Sequence, residues 1–252
     1  MEDLITLSIS GGVAEVMLNR PAKLNAVTAE MAAFLLDLTR RLDEDSEVSV
    51  VLLHGAGERA FCAGSDLNSL AEYPTLWAYR NRKEYSAAFR HLRKPLVVAL
   101  QGWALGGGAE MALSADIRIA DTSAKIGFPE VKRGWVGGGA ATQLLPRLIG
   151  YGASMRLLLT GDHVDAAEAF RLGLVEEVVA PGQALERARA LCAQMAGVRP
   201  LVLEATKAAV RASLSLPLEA GAAYENEMTT LCFAEGRHMD GIRDFFSKRD
   251  HA

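Results

Sequence analysis

The sequence predicts an α/β fold with mostly parallel strands, followed by a helical C-terminal region. In the first half of the chain, short β-branched apolar runs alternate with segments that have the apolar spacing of a helix. After Gly139 the pattern changes, and nearly every segment has helical spacing. Since central parallel strands are buried on both faces, the unbroken apolar runs are expected at the centre of a sheet.

The elements of the first half follow from apolar spacing and turn residues. A hairpin-like opening is predicted around Gly11-Gly12, from the strands Leu4–Ser10 and Val13–Leu18. Three buried strands are predicted at Val48–His54, Leu96–Leu100 and Ile117–Ala120. Helices are predicted at Thr28–Leu42, at Gly106–Ser114, and at Thr75–Leu92, a charged and exposed segment that Lys94-Pro95 ends.

The second half is predicted to be mainly helical. Only Val175–Val179 has the composition of a strand, and the predicted helices are Thr142–Leu148, Ala153–Leu159, Ala166–Leu172, Gln183–Met195, Val202–Ala212 and Leu218–Phe233. We therefore divide the chain into a core of residues 1–190 and a C-terminal helical lobe of residues 191–252.

Composition narrows the classes of function. The 252 residues carry 27 basic and 31 acidic side chains, a net charge of −4 that argues against a nucleic-acid partner. Three scattered cysteines form no disulfide framework, and no histidine spacing predicts a metal site. With neither a basic, apolar leader nor an apolar run of membrane-spanning length, we expect a cytoplasmic protein without a membrane partner.

Two glycine-rich segments, each with one glutamate, stand out in the middle of the chain. The first, residues 102–110, places three glycines at the start of a short helix and Glu110 in its first turn. Unpaired N–H groups at a helix N-terminus bind an oxyanion or a phosphate. Two interpretations stay open: a site with Glu110 as a proton-transfer group, or a packing turn in which the helix dipole stabilises Glu110.

The second segment contains Glu130, which directly follows Pro129 and precedes Gly137-Gly138-Gly139. Proline excludes a smooth helix or a central strand here, so Glu130 is either a surface acid in a turn or a second catalytic carboxylate. If Glu110 and Glu130 converge on one cavity, burial and mutual repulsion raise the pKa of at least one of them. One glutamate then donates a proton while the other accepts one.

The loop ending in Phe61-Cys62-Ala63-Gly64-Ser65-Asp66 has a functional and a structural interpretation. In the first, the backbone N–H of Ser65 is a hydrogen-bond donor that faces the donor at Gly107. In the second, the loop is an ordinary turn whose Asp66 caps a helix that begins near Leu67. No histidine stands at a motif spacing from Ser65, so it is not predicted as a nucleophile. Cys62 is interpreted as a small buried apolar residue.

Taken in order, these segments resemble the enoyl-CoA hydratase/isomerase (crotonase) superfamily over nearly the whole chain. The resemblance rests on separate motifs that occur in the family's order: Leu18-Asn19-Arg20-Pro21, Leu24-Asn25-Ala26, residues 60–67, Lys94-Pro95, residues 102–110, Pro129-Glu130, and residues 145–150, 160–162, 166–169, 172–175 and 245–249. It implies a spiral of repeated ββα units with a C-terminal helical region that packs at subunit contacts, in a homotrimer or a dimer of trimers.

The resemblance also implies roles for individual residues. By motif position, the backbone N–H groups of Ser65 and Gly107 form an oxyanion hole for a thioester oxygen and stabilise an enolate. Glu110 and Glu130 match the two catalytic glutamates of hydratases, with Glu130 exchanging the α-carbon proton and Glu110 activating the added water. Gly138 matches a glycine whose backbone helps to position that water.

An acyl-CoA thioester is the ligand that the resemblance implies. Coenzyme A is part of the substrate, and no separate cofactor is expected. The family pattern assigns CoA contacts to Lys23, Leu24 and Ala63, and further contacts with the CoA of a neighbouring subunit to Phe245 and Lys248.

Possession of both glutamates favours reversible syn-hydration of a 2-enoyl-CoA to a 3-hydroxyacyl-CoA. One alternative is a Δ3,Δ2-enoyl-CoA isomerase, which needs only Glu130, and another is an acyl-CoA hydrolase or carbon–carbon lyase on the same site. A CoA-binding or RNA-binding module without catalysis is disfavoured by the net charge of −4 and by the two glutamates.

Three positions depart from the family pattern. Gly137-Gly138-Gly139 lacks the family's proline, which is expected to loosen the water-binding loop. Phe128 replaces a commonly polar residue and is expected to make the pocket floor apolar, while Ser65 replaces a common alanine.

Overall fold

A computed structural model describes residues 3–249 of the chain, except for the side chains of residues 240, 241, 244, 245, 248 and 249. The chain divides into two compact units, Met1–Gly197 and Val198–Ala252. In the first unit the strands are β1 (Ile5–Ser10), β2 (Val13–Leu18), β3 (Val50–Gly55), β4 (Ala60–Cys62), β5 (Leu96–Leu100), β6 (Trp103–Leu105), β7 (Ile117–Asp121), β8 (Lys125–Gly127), β9 (His163–Asp165) and β10 (Glu177–Val179).

The helices of the first unit are α1 (Ala29–Glu44), α2 (Leu67–Ala71), α3 (Leu76–Arg80), α4 (Tyr85–His91), α5 (Gly107–Leu113), α6 (Ala141–Ile149), α7 (Tyr151–Thr160), α8 (Ala166–Leu172) and α9 (Ala184–Ala196). The second unit contains α10 (Pro200–Ala212), α11 (Leu218–Ala234) and α12 (His238–Arg249). Short 3-10 helices lie at Pro21–Lys23 and Pro129–Arg133. Along the described part of the chain, no helix is both long enough and apolar enough to span a bilayer.

The larger sheet has six strands in the order β1-β2-β3-β5-β7-β10. β1 and β2 form the predicted antiparallel hairpin, and every other neighbouring pair is parallel. Each residue of β3 and β5 is buried, which confirms the prediction that these apolar runs are central strands. The predicted strand Ile117–Ala120 is likewise confirmed as β7.

The smaller sheet has four strands in the order β4-β6-β8-β9, with β4, β6 and β8 parallel to one another. Three successive strand pairs, β3–β4, β5–β6 and β7–β8, each place the first strand in the larger sheet and the second in the smaller one. This repetition is the spiral of ββα units that the sequence resemblance implies. It brings the carboxyl ends of β4, β6 and β8 to one edge of the smaller sheet.

The predicted exposed helix Thr75–Leu92 is wrong in both length and burial. The chain leaves helical structure after Arg80 and begins a new helix at Tyr85, where the Glu84 side chain accepts hydrogen bonds from the N–H groups of Ser86 and Ala87. This is an N-cap, so Glu84 starts a helix instead of continuing one. α4 packs against α1 and α5, and Phe89 is fully buried.

The predicted helices of the second half are confirmed to within a few residues at each end. α9 packs against β3, β5 and β7 and so covers one face of the larger sheet. Strand β9 was not predicted, because three residues are too few to show a period of two. The same shortness hides β4, β6 and β8 from sequence analysis.

Candidate active site

A cavity of about 410 Å³ opens at the carboxyl edge of the smaller sheet. Its lining includes Ser65, which follows β4, Gly107, which follows β6, and Glu130, which follows β8. Because β4, β6 and β8 are parallel neighbours, the residues that follow them meet at one place. The sheet topology thus gathers residues that lie far apart in the sequence.

Ser65 and Gly107 both lie close to the Tyr85 hydroxyl. The Ser65 Oγ is 3.0 Å from the Tyr85 hydroxyl oxygen, which is 2.0 Å from where a Cβ on Gly107 would lie. Only glycine therefore fits at position 107. Within the described residues, neither backbone N–H, of Ser65 or of Gly107, donates to a protein acceptor. Both remain free to donate to an oxygen in the cavity.

Glu110 lies in the first turn of α5, as predicted, with only 3% of its surface exposed. Its Oε1 accepts hydrogen bonds from the backbone N–H of Gly139 at 2.8 Å and from that of Ala141 at 3.2 Å. These bonds fix the carboxyl group against the loop that precedes α6. A Cβ at Gly139 would lie 2.6 Å from Glu110 Oε2, so the close approach requires glycine there.

Glu130 lies in the 3-10 helix that follows β8, and the structure brings it to Glu110. A Cβ at Gly137 would be 2.7 Å from Oε1 of Glu110 and 3.6 Å from Oε1 of Glu130. The two carboxyl groups therefore approach the same point from different loops. The sequence-based hypothesis that they share a cavity agrees with this geometry.

Burial shifts the protonation of both glutamates in the same direction. It raises the pKa of Glu110 to about 7, against the two backbone hydrogen bonds, and the charges of Glu130 and Glu84 add to the rise. Burial also raises the pKa of Glu130, although the nearby Arg133 guanidinium opposes this. A pair in which Glu110 has a pKa of about 7 holds a proton near neutral pH, as acid–base catalysis needs.

Helix α4 supports the loop that holds Glu110. The Ser86 hydroxyl lies within hydrogen-bond distance of both Glu84 carboxylate oxygens and of the Gly139 carbonyl. Arg90 donates to the same carbonyl at 3.1 Å. Gly139 is thus held at its N–H by Glu110 and at its carbonyl by α4, although the loop lacks proline.

A second cavity of about 270 Å³ adjoins the first and shares Glu130, Trp135 and Val136 with it. Most of its wall is apolar, and its other lining residues include Phe128, Val131, Pro146, Tyr151, Met155, Leu158 and Leu159. The apolar floor expected from Phe128 therefore belongs to this second cavity. Glu130 therefore lines both the first cavity, whose wall is mixed, and the more apolar second cavity.

The residues expected to contact CoA fall into two groups. Lys23, Leu24 and Ala63 line the larger cavity, as does Gly138. Leu24 has a positive φ of 51° and its carbonyl accepts a hydrogen bond from the Ala63 N–H at 2.9 Å, which fixes this part of the wall. Phe245 and Lys248 lie in α12, but their side chains are outside the described part of the structure.

The aromatic side chains of α3, of α4 and of the loop after Glu130 differ in their relation to the cavity. Tyr79, Tyr85 and Trp135 line the larger cavity. Trp77 is 71% exposed and Phe89 is fully buried in the core, and neither is part of the cavity wall. The sequence does not separate the two groups, because the break between α3 and α4 means that the two helices do not share one continuous face.

Cys62 is fully buried, and burial raises the pKa of its thiol to about 12. It remains a protonated thiol that donates to the Asn25 carbonyl, which confirms its interpretation as a packing residue. Asp66 caps α2 by accepting a hydrogen bond from the Asn68 N–H, as the structural interpretation of this loop expects. Among residues 3–249, no cluster of His, Cys, Asp and Glu side chains is arranged to hold a metal ion.

Three residues of the site were not singled out by sequence analysis: Arg82, Glu84 and Ser86. All three fall within residues 81–86, which comprise the break between α3 and α4 and the first residues of α4, and which sequence analysis predicts as continuous helix. The sequence carries no clear signal for this break, because glutamate is a good helix former and is not among the residues that usually cap a helix.

Comparison with known proteins shows which proteins this chain is similar to. A family model described as enoyl-CoA hydratase/isomerase matches residues 8–252. An (E)-benzylidenesuccinyl-CoA hydratase from Thauera aromatica is 36% identical over 97% of this chain and 96% of its own length. A short-chain-enoyl-CoA hydratase from Clostridium acetobutylicum is 35% identical over 97% and 95%. A crystal structure of an enoyl-CoA hydratase from Bacillus anthracis has a TM-score of 0.90 and 31% identity, covering 97% of this chain and 96% of that one.

We predict that Glu110→Gln stabilises the protein above pH 7. The pKa of Glu110 is higher in the folded protein than in the unfolded chain. As the pH rises, Glu110 therefore loses its proton in the unfolded chain first, and the free energy of unfolding falls between the ordinary glutamate range and about pH 7. Glutamine accepts the same two backbone hydrogen bonds without a charge. The free energy of unfolding at about pH 8, measured with urea, should rise by about 2 kcal/mol.

The matched control is Glu47→Gln, which removes the charge of an exposed glutamate and should leave the free energy of unfolding unchanged. A Glu110→Gln protein that is no more stable than wild type at this pH would show that the buried carboxyl is not strained by its charge.

Proposed function

Since the chain belongs to the enoyl-CoA hydratase/isomerase family, we propose that it adds water reversibly to a 2-enoyl-CoA thioester to form a 3-hydroxyacyl-CoA. The observation that carries this proposal is the convergence of two buried glutamates, Glu110 and Glu130, on one point beside Gly137. Hydration needs two proton transfers, one at each carbon of the double bond, and two carboxyl groups supply both.

We propose that the thioester oxygen accepts hydrogen bonds from the backbone N–H groups of Ser65 and Gly107. These donors are fixed by the loop after β4 and by the start of α5, so they need no rearrangement as negative charge develops on the oxygen. Loss of one such donor typically lowers the rate by about 10²–10³. We propose that the Tyr85 hydroxyl, which lies close to both residues, holds their backbone N–H groups in position.

The two glutamates then take different steps. In hydration, Glu110 accepts a proton from the attacking water, which adds to the β-carbon, and protonated Glu130 donates its proton to the α-carbon. In dehydration, Glu130 removes the α-proton and Glu110 protonates the leaving hydroxide. In both directions the two glutamates must hold one proton in total. The backbone of Gly138 is proposed to help position the water.

The substrate is proposed to enter along Lys23, Leu24 and Ala63, which line the cavity and would contact its CoA part. Phe245 and Lys248 are proposed to reach the CoA of a neighbouring subunit. Every step uses protein groups and water, so no cofactor is proposed beyond the coenzyme A of the substrate. The named substrates of the relatives include an aromatic, acidic acyl group and short acyl chains, so they leave the acyl group of this enzyme open.

We propose that the C-terminal lobe, expected from residue 191 onward, mediates assembly into a homotrimer or a dimer of trimers. Helix α11 has no buried residue, and its exposed apolar side chains include Leu218, Leu231 and Phe233. A 17-residue helix with these residues in water gains stability when another subunit covers them. The free thiols of Cys62, Cys192 and Cys232 support the proposal of a reducing, cytoplasmic setting.

Wild-type enzyme should consume the conjugated enoyl-thioester absorbance of crotonyl-CoA, and Glu110→Ala and Glu130→Ala should each lower kcat by at least about 10². Loss of either proton-transfer group stops one half of the addition. A 3-enoyl-CoA serves as the control substrate, because an isomerase would convert it with Glu130 alone. Full hydratase activity in either variant would contradict the assignment of both glutamates.

The pH dependence of kcat/KM should fall as the pH rises above about 7, in hydration and in dehydration alike. The singly protonated pair is the active form, and above the pKa of Glu110 the pair loses its last proton. Rates measured with crotonyl-CoA and with 3-hydroxybutyryl-CoA from about pH 6 to about pH 9 test this, since kcat/KM reports the free enzyme. A flat profile across this range would contradict the shared proton.

Light scattering on wild-type protein should give the mass of three or six chains. Leu218→Glu places a charge at an 82%-exposed position in the first turn of α11, where it favours the helix but opposes an apolar contact, and should lower that mass. Leu76→Glu, at an exposed position of α3, is the control and should leave the mass unchanged. A monomeric wild-type protein would contradict the proposed assembly.

A further inference from the structure

A half-buried arginine in the larger cavity has no counterion among the described residues. Arg82 lies in the segment between α3 and α4 and lines the cavity together with both glutamates. It forms no ion pair with any carboxylate in the described residues. A guanidinium withdrawn from water without an anionic partner is costly, so such a group in a ligand cavity indicates an anionic ligand.

Three contacts fix the position of this guanidinium. Nη1 donates to the Tyr79 carbonyl at 3.2 Å, and the guanidinium carbon lies 4.3 Å from the centre of the Tyr79 ring. Nη2 is 2.2 Å from where a Cβ on Gly138 would lie, so it rests directly against that glycine's backbone. Stacking on an aromatic ring leaves the edge of the guanidinium available for a planar anion.

The acidic residues of the cavity are engaged elsewhere. Asp66 pairs with Arg20 at 3.1 Å, and the oxygens of Glu84 accept hydrogen bonds at the start of α4. Glu110 accepts two backbone hydrogen bonds from the loop 139–141. Glu130, the remaining acid of the cavity wall, interacts with the charge of Arg133. None of these four carboxylates is within ion-pair distance of Arg82, so no carboxylate of the described residues neutralises its charge.

The place of Arg82 indicates which part of the substrate it meets. Gly138, which the guanidinium touches, is the neighbour of Gly139, which binds Glu110. The reacting carbons must lie at the glutamates, so an anion beside Gly138 lies near the acyl group. A carboxylate matches the guanidinium because it is planar and accepts two parallel hydrogen bonds.

We propose that Arg82 binds a carboxylate carried by the acyl group, so that the preferred substrates are 2-enoyl-CoA thioesters of dicarboxylic acids. The inference that these thioesters are substrates rests on the proposed hydratase function. The inference that Arg82 binds their carboxylate does not. Arg82 is a specificity-determining residue here, and it takes no part in the proton transfers.

The test measures binding separately from turnover. Calorimetry compares the saturated thioesters glutaryl-, adipyl- and pimelyl-CoA, each with a neutral partner in which an isopropyl group replaces the carboxylate. In at least one pair, wild-type protein should bind the carboxylate form about tenfold or more tightly. Arg82→Met should remove this preference and leave the affinity for the neutral form within about twofold, whereas Arg82→Lys should retain part of it.

Arg80→Met is the matched control, because Arg80 is exposed in α3, lies over the Trp77 ring and is not part of the cavity wall. It should leave both affinities unchanged. The proposal is overturned if no pair shows a preference in wild type, or if Arg82→Met weakens both members of a pair equally, which would place the guanidinium on the phosphates of CoA.

The corresponding 2-enoyl thioesters distinguish a failure of this inference from a failure of the proposed function. Both proposals are supported if wild type hydrates the carboxylate form with a higher kcat/KM than its neutral partner, and if Arg82→Met loses this difference because its KM for the carboxylate form rises. If wild type hydrates neither form but binds the carboxylate form more tightly, the hydratase proposal fails and the assignment of Arg82 stands.

Discussion

The site depends on one constraint, which is the burial of the Glu110 carboxyl group against the loop that precedes α6. Burial raises the pKa of this group to about 7, and the backbone N–H groups of Gly139 and Ala141 keep its charged form accessible. The loop is supported in turn by Ser86, whose hydroxyl lies within hydrogen-bond distance of the Gly139 carbonyl and of the capping carboxylate of Glu84. A single buried acid thus links α4, α5 and the loop before α6.

The topology explains why these groups meet. Each ββα unit sends one strand to the larger sheet and one to the smaller sheet, and the three parallel strands of the smaller sheet end at the same edge. The backbone donors follow β4 and β6, and Glu130 follows β8. The larger sheet, whose central strands are buried on both faces, provides the rigid support that such a site requires. The segment between α3 and α4 contributes Arg82 to the cavity wall.

Sequence analysis predicted the elements with strong periodicity and failed where the elements are short. The central strands β3, β5 and β7 and most helices follow from their apolar spacing. The smaller sheet was missed because strands of three residues have no readable period, although its edge gathers the site. The motifs of the family nevertheless indicated Glu110, Glu130, Ser65 and Gly107, although the smaller sheet itself was not predicted. The break at residues 81–84 was not predicted, because Glu84 caps α4 but is also a good helix former. The position of Arg82, which lies in this break, was therefore not predicted either.

The central claim is that a buried glutamate pair carries a proton near neutral pH. The most direct measurement is a carbon-13 NMR titration of protein labelled at the glutamate Cδ atoms, in wild type and in Glu110→Gln. We expect one carboxyl carbon to titrate with a pKa of about 7 and to be missing from the Glu110→Gln spectrum. Titration of every glutamate in the ordinary range near a pKa of about 4.3 would contradict the account, because Glu110 would then be ionised throughout the working range of the enzyme.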